Sequence, residues 1–146
     1  MKKFFAAVLI AATLTTSAFA ADVNKVSEKT VNRFKTDFES AKNVDWTIRP
    51  SFVKASFIEG QKRCEAFYDL EGEFIGCSKA IDLDELPTSA KRTFAKKYSS
   101  YTVKEAIKFD GPELTSYYIS AENDKESVVL KVESGFLTVF KKTGKN

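Results

Sequence analysis

Histidine is absent from all 146 residues. Without an imidazole there is no His-based hydrolase triad, no Cys–His dyad and none of the commonest zinc sites. Glycine is sparse, at 6 residues, and nowhere forms a phosphate-cradling loop. No apolar run is long enough to span a bilayer. The longest, Phe4 to Leu14, is about 11 residues, against the roughly 20 a membrane helix needs. There is also no concentrated positive field: 23 Lys and Arg stand against 20 Asp and Glu. Phosphate backbones call for a basic patch, so nucleic acid is not an expected partner. Cysteine is nearly absent too, with only Cys64 and Cys77.

What is present begins with an export signal. Lys2 and Lys3 precede the apolar run, and Ala18-Phe19-Ala20 supplies a small-x-small cleavage site. The expected signal peptide is 1–20, cut before Ala21, with no cysteine nearby to carry a lipid. Removing it takes away two lysines and no acid, leaving 21 basic against 20 acidic residues. The expected location is periplasmic or secreted, with no membrane association after cleavage. The remaining 126 residues suffice for one domain, 21–146, that needs no metal or disulfide to fold, and no cofactor is expected.

The centre of that domain is Phe67-Tyr68-Asp69-Leu70-Glu71-Gly72-Glu73-Phe74-Ile75. Asp69 opens and Gly72 closes a hairpin turn. Pairing Asp69 with Glu73 sets Phe67 opposite Ile75 and Glu65 opposite Cys77. A second hairpin is expected at Leu130–Leu137, with Val132 opposite Phe136, Leu130 opposite Thr138 and Val128 opposite Phe140. An amphipathic helix should run from Ser27 to Lys42, capped by Ser27 and burying Val31, Phe34, Phe38 and Ala41. A second should run from Pro87 to Tyr98, burying Ala90, Phe94 and Tyr98. Alternating segments follow each helix, for example Val53, Ala55 and Phe57 against Lys54, Ser56 and Ile58. The halves align at an offset of about 60 residues, with Phe34 on Phe94 and Gly72 on Gly135. The expected fold class is therefore α+β. Two tandem helix plus four-stranded antiparallel units, 26–80 and 86–141, would form one sheet of about eight strands with both helices on one face.

Candidates for chemistry are few. Export favours pairing of Cys64 and Cys77 in a disulfide, whereas the hairpin register sets them on opposite faces unless a bulge intervenes. A disulfide and a pair of small buried thiols both stand at this point. Asp69 to Glu73 looks like a calcium loop but lacks its distal ligands. Asp82, Asp84 and Glu85 read as charges at a helix N-terminus. The candidate binding surface is aromatic: of the rings on or beside strands, Trp46, Phe52, Tyr117 and Tyr118 are the candidates, and those on the sheet face turned away from the helices would form it, most of the others being core.

Several of these motifs together carry a resemblance. Phe34-x-x-x-Phe38, Val44-Asp45-Trp46, Val53-x-Ala55-x-Phe57, Phe67-Tyr68-Asp69-x-x-Gly72 and Asp84-Glu85-Leu86-Pro87 resemble the PepSY-like exported proteins of the Bacteroidetes type, which have a β-lactamase-inhibitor-protein-like fold. The resemblance spans nearly all of the mature chain. It implies a concave sheet and no enzyme activity, and it carries over no catalytic, cofactor or metal residues. The expected function is an exported, non-enzymatic binding module with a protein partner, such as a hydrolase. The alternative is a carrier or sensor of a small apolar ligand held between sheet and helices. An enzyme using carboxylates alone is a third class.

Overall fold

The computed structural model describes residues 23–146. The expected signal peptide lies outside them. After a single 3-10 turn at Val23–Lys25, the chain forms α1 (Glu28–Asp37), then β1 (Lys42–Ile48), β2 (Val53–Glu59), β3 (Lys62–Tyr68) and β4 (Phe74–Ala80). A second 3-10 turn, Leu83–Glu85, leads to α2 (Thr88–Lys97), β5 (Thr102–Asp110), β6 (Thr115–Glu122), β7 (Glu126–Glu133) and β8 (Phe136–Gly144). All eight strands lie side by side in chain order, each antiparallel to the next.

This corrects the expected fold class. The described residues are mostly β: one unbroken eight-stranded antiparallel sheet, with two helices of only ten residues each. It is not an α+β assembly of two helix-plus-strand units. Strand β4 pairs directly with β5, Cys77 opposite Asp110 and Ala80 opposite Ile107, so the ladder crosses the midpoint of the chain. The helices end before their apolar stripes do, with Phe38 and Tyr98 already at the C-caps. Ser27 does cap α1, accepting the Thr30 N–H at 3.2 Å. However, Phe38 leaves the helix at φ −134, five residues before the periodicity suggested. Each helix buries one ring, Phe34 or Phe94. A stripe that narrow cannot hold a short helix by itself, so the sheet must carry the fold.

Both helices lie on the same sheet face. Under α1, Phe34 meets Trp46 at 5.2 Å and Phe57 at 5.1 Å between ring centroids, above Ala55, Ala66 and Tyr68. Under α2, Phe94 and Leu86 cover Ala106, Ile119, Ala121, Val128 and Leu130. The hairpin tips anchor the helices. Asp69 Oδ1 accepts the Glu71 and Glu73 N–H groups at 3.0 and 2.8 Å. Gly72, at φ +85, comes so close to the first turn of α1 that a β-carbon there would lie 3.0 Å from Thr30 Oγ1. At the other tip, Ser89 in the first turn of α2 donates to the Gly135 carbonyl at 2.8 Å.

Both expected hairpin registers are off by one residue. In the first, Phe67 pairs with Gly76, Ala66 with Cys77 and Glu65 with Ser78. A bulge at Ile75 absorbs one residue after the turn. In the second, Ser134 and Gly135 form a two-residue turn, both at positive φ (51 and 81), so Glu133 pairs with Phe136 and Val132 with Leu137. A one-residue slip turns each side chain to the opposite face. Phe136 and Phe140 therefore leave the face of Val128, Leu130 and Val132, and Phe140 packs edge-on against Tyr118 at 5.7 Å.

The helix-free face is also largely filled. Phe52, from the β1–β2 loop, covers Phe67, and Phe109 lies over Gly76. A β-carbon at Gly76 would fall 2.4 Å from the Phe109 ring, so only glycine fits there. On the same face, Lys54 Nζ donates to Glu65 Oε1 at 2.9 Å, with both side chains under 10 % exposed. Both outermost strands are irregular. Strand β1 is broken at Asn43 (φ 54), and β8 is bulged at Phe140.

Candidate functional site

The four aromatic candidates do not form one surface. Trp46 is buried beneath α1, and Tyr117 lies on the same face within the α2 cluster. Phe52 and Tyr118 are on the other face, also buried, in separate clusters. Trp46, Phe52 and Tyr118 are buried and Tyr117 is half-buried against the α2 cluster, because a large ring packs wherever the fold offers cover.

Exposed apolar side chains gather elsewhere. Among the described residues, the large exposed ones are Ile48 (39 %), Leu70 (53 %), Leu114 (45 %), Phe136 (76 %) and Val139. The first four lie at one end of the sheet. In an up-and-down meander, the β1–β2, β3–β4, β5–β6 and β7–β8 connections all emerge at the same end. Ile48 closes β1, Leu70 sits within the Asp69–Gly72 turn, Leu114 closes the turn begun at Gly111, and Phe136 opens β8. The turns hold these side chains outward because their backbones are committed to short loops, with Gly72 bonded to Asp69 at 3.1 Å and Gly111 to Leu114 at 3.1 Å. Sequence reasoning missed this row, although a signal was there: each residue is large, apolar, and inside or beside a Gly-containing or Pro-containing turn.

The opposite end is held by ion pairs. Lys104 and Lys145 reach Glu122 at 2.7 and 3.0 Å, and Lys142 reaches Glu126 at 2.7 Å. Hydrogen bonds from Lys104 and then Lys145 lower the Glu122 carboxyl to about 2, against an ordinary 4.5. Hydrogen bonds from Lys142 and Tyr101 likewise lower Glu126. A depressed carboxyl contributes stability that is fully present above its unfolded value and is lost as pH falls through its folded value. The docking of the last strand should therefore hold at pH 6 and loosen between about pH 4.5 and 2. An NMR titration of the Glu122 side chain checks this; a midpoint at the ordinary carboxylate value would refute it.

Nothing in the described residues forms a reactive set. No three His, Cys, Asp or Glu side chains among them could hold a metal ion. Cys64 and Cys77 are free thiols, and the bulge places both on the helix face, Cys77 opposite Ala66 and Cys64 opposite Lys79. Burial pushes both thiols up, Cys77 to about 11, so they stay protonated and unreactive at neutral pH. Tyr68 is fully buried, and burial, then the neighbouring Asp37 carboxylate, raises its phenol. No helix among the described residues is long and apolar enough to cross a membrane.

No family model matches the sequence, and no curated sequence does. Solved structures do resemble the fold. A DUF2874 family protein from Bacteroides ovatus superposes with a TM-score of 0.71 at 16 % identity, over 80 % of this chain and 86 % of that one. A BLIP-like protein from Bacteroides fragilis gives 0.68 at 16 %, over 81 % and 85 %. A protein from Bacteroides eggerthii, provisionally called periplasmic, gives 0.73 at 15 %, over 82 % and 88 %. At such identities the likeness is one of fold: this chain is built like the DUF2874 and BLIP-like proteins of Bacteroides.

Proposed function

We propose that the protein is an exported, non-enzymatic binding module of the PepSY-like type that holds a protein partner at the loop end of its sheet. Residues 1–20 are the export signal and 21–146 the mature domain. The observation that carries this reading is the apolar row of Ile48, Leu70, Leu114 and Phe136. Exposed apolar patches on a stable domain mark interaction sites, and here the row coincides with loops held by a rigid scaffold. The provisional periplasmic description of one fold neighbour and the BLIP-like description of another support export and a binding role. The carrier alternative gains no support. The layer between sheet and helices is packed with rings, and the depressions on the surface are shallow, such as the one beside Ala80–Leu83 and Val103–Ala106.

The test is capture of exported proteins from the native organism. One stoichiometric partner should be recovered and then lost with Phe136→Asp. That exposed change should leave stability within about 0.5 kcal/mol, checked by thermal melting. Equal recovery by the variant would overturn the reading.

A further inference from the structure

The loop end has a charge as well as an apolar row. Its four loops carry Asp69, Glu71, Glu73 and Glu113, and a single cation, Arg49. The whole chain is slightly basic, so these loops depart from the average, even with Lys29 of α1 counted beside them. Lys29 from α1 engages Glu73 at 2.6 Å, while Glu71 stands exposed beside Leu70. A second copy of the chain would bring acidic loops against acidic loops, and an anionic lipid surface would be repelled in the same way.

Spacing narrows the occupant further. Successive hairpins are two strands apart, so their tips recur at roughly 10 Å. A polyproline-II chain presents the same face every third residue, at about 9 Å. Resting on the binding role proposed above, we infer that the loop end takes an extended, polyproline-II-like segment of a partner protein. That segment carries an apolar side chain at every third position and lysine or arginine between them. Its apolar side chains lie against Leu70, Leu114 and Phe136, and its cations face Glu71 and the neighbouring loop carboxylates.

Two fluorescent twelve-residue peptides test this on the intact mature protein by anisotropy, one of four Leu-Lys-Lys repeats and one of four Leu-Glu-Glu repeats. The lysine peptide should bind at least about tenfold more tightly, and weaken with added salt. Glu71→Lys and Phe136→Asp should each lose that binding while far-ultraviolet circular dichroism stays unchanged. Equal binding of both peptides, abolished by Phe136→Asp, would overturn the charge assignment and leave the apolar docking row standing. Binding of neither peptide, or binding indifferent to both substitutions, would overturn the extended-segment assignment. Loss or retention of the captured protein partner reports separately on the binding role.

Discussion

Changing Glu65 to leucine should cost about 3–5 kcal/mol, the range for leaving a buried charge without its partner. Glu65 lies in the middle of β3 on the helix-free face, 5 % exposed, and its carboxylate takes Lys54 Nζ at 2.9 Å. Arg63 approaches it at 3.5 Å from the surface. The leucine variant strands the Lys54 ammonium on the helix-free face beside Phe67, its cross-strand partner, with the lysine side chain only 9 % exposed. The converse change, Lys54→Met, should cost less, because Arg63 still neutralises Glu65. The pair Lys54→Met with Glu65→Leu should be near neutral or more stable than the parent, since neither ion then has to be desolvated. Urea unfolding of all four proteins gives the coupling directly. Additive single and double effects would show that the pair contributes no specific interaction.

Phe34→Ala should be as damaging, about 3–5 kcal/mol. Phe34 is 4 % exposed and its ring meets Phe38, Trp46 and Phe57 at 5.4, 5.2 and 5.1 Å. It is the one ring that α1 buries, so its removal both opens a cavity and detaches the helix from the sheet. For a domain of this size the loss corresponds to a fall in melting temperature of roughly 10–20 °C. The control is Phe136→Ala, whose ring is 76 % exposed and whose loss should be nearly silent. A mild Phe34→Ala phenotype would mean that α1 is held by its cap and tip contacts instead.

How far the sequence could be read follows from which features are local. The Asp69–Gly72 turn and the Ser27 cap were legible, because each depends on one or two residue types acting over a few positions. The count of strands was legible from alternation and punctuation. Helix length was not: Phe38 and Ala41 keep the helical period, yet both have left the helix while still packing on its cluster. Register was not legible either. The bulge at Ile75 and the two-residue Ser134–Gly135 turn each move a strand by one residue, and their only marks are Gly76 and the Ser-Gly pair, which do not fix a register. The burial of Lys54 and Glu65 was not legible, since alternation reports which way a side chain points and not what lies over it. The placement of the binding candidates was not legible for a related reason. Aromatic character selected Trp46, Phe52, Tyr117 and Tyr118, whereas exposure here belongs to apolar residues placed at turns.

An open sheet of this length has two borders where hydrogen-bonding groups face outward, and straight borders invite endless stacking of copies into fibres. Here the first border is kinked at Asn43 and the last at Phe140, with Lys141 and Lys142 beyond. A neighbour laying a flat ribbon along either side meets a backbone that turns away after a few residues. Pairing of copies along either border is thus disfavoured, which leaves the hairpin tips as the ground for sociable contact.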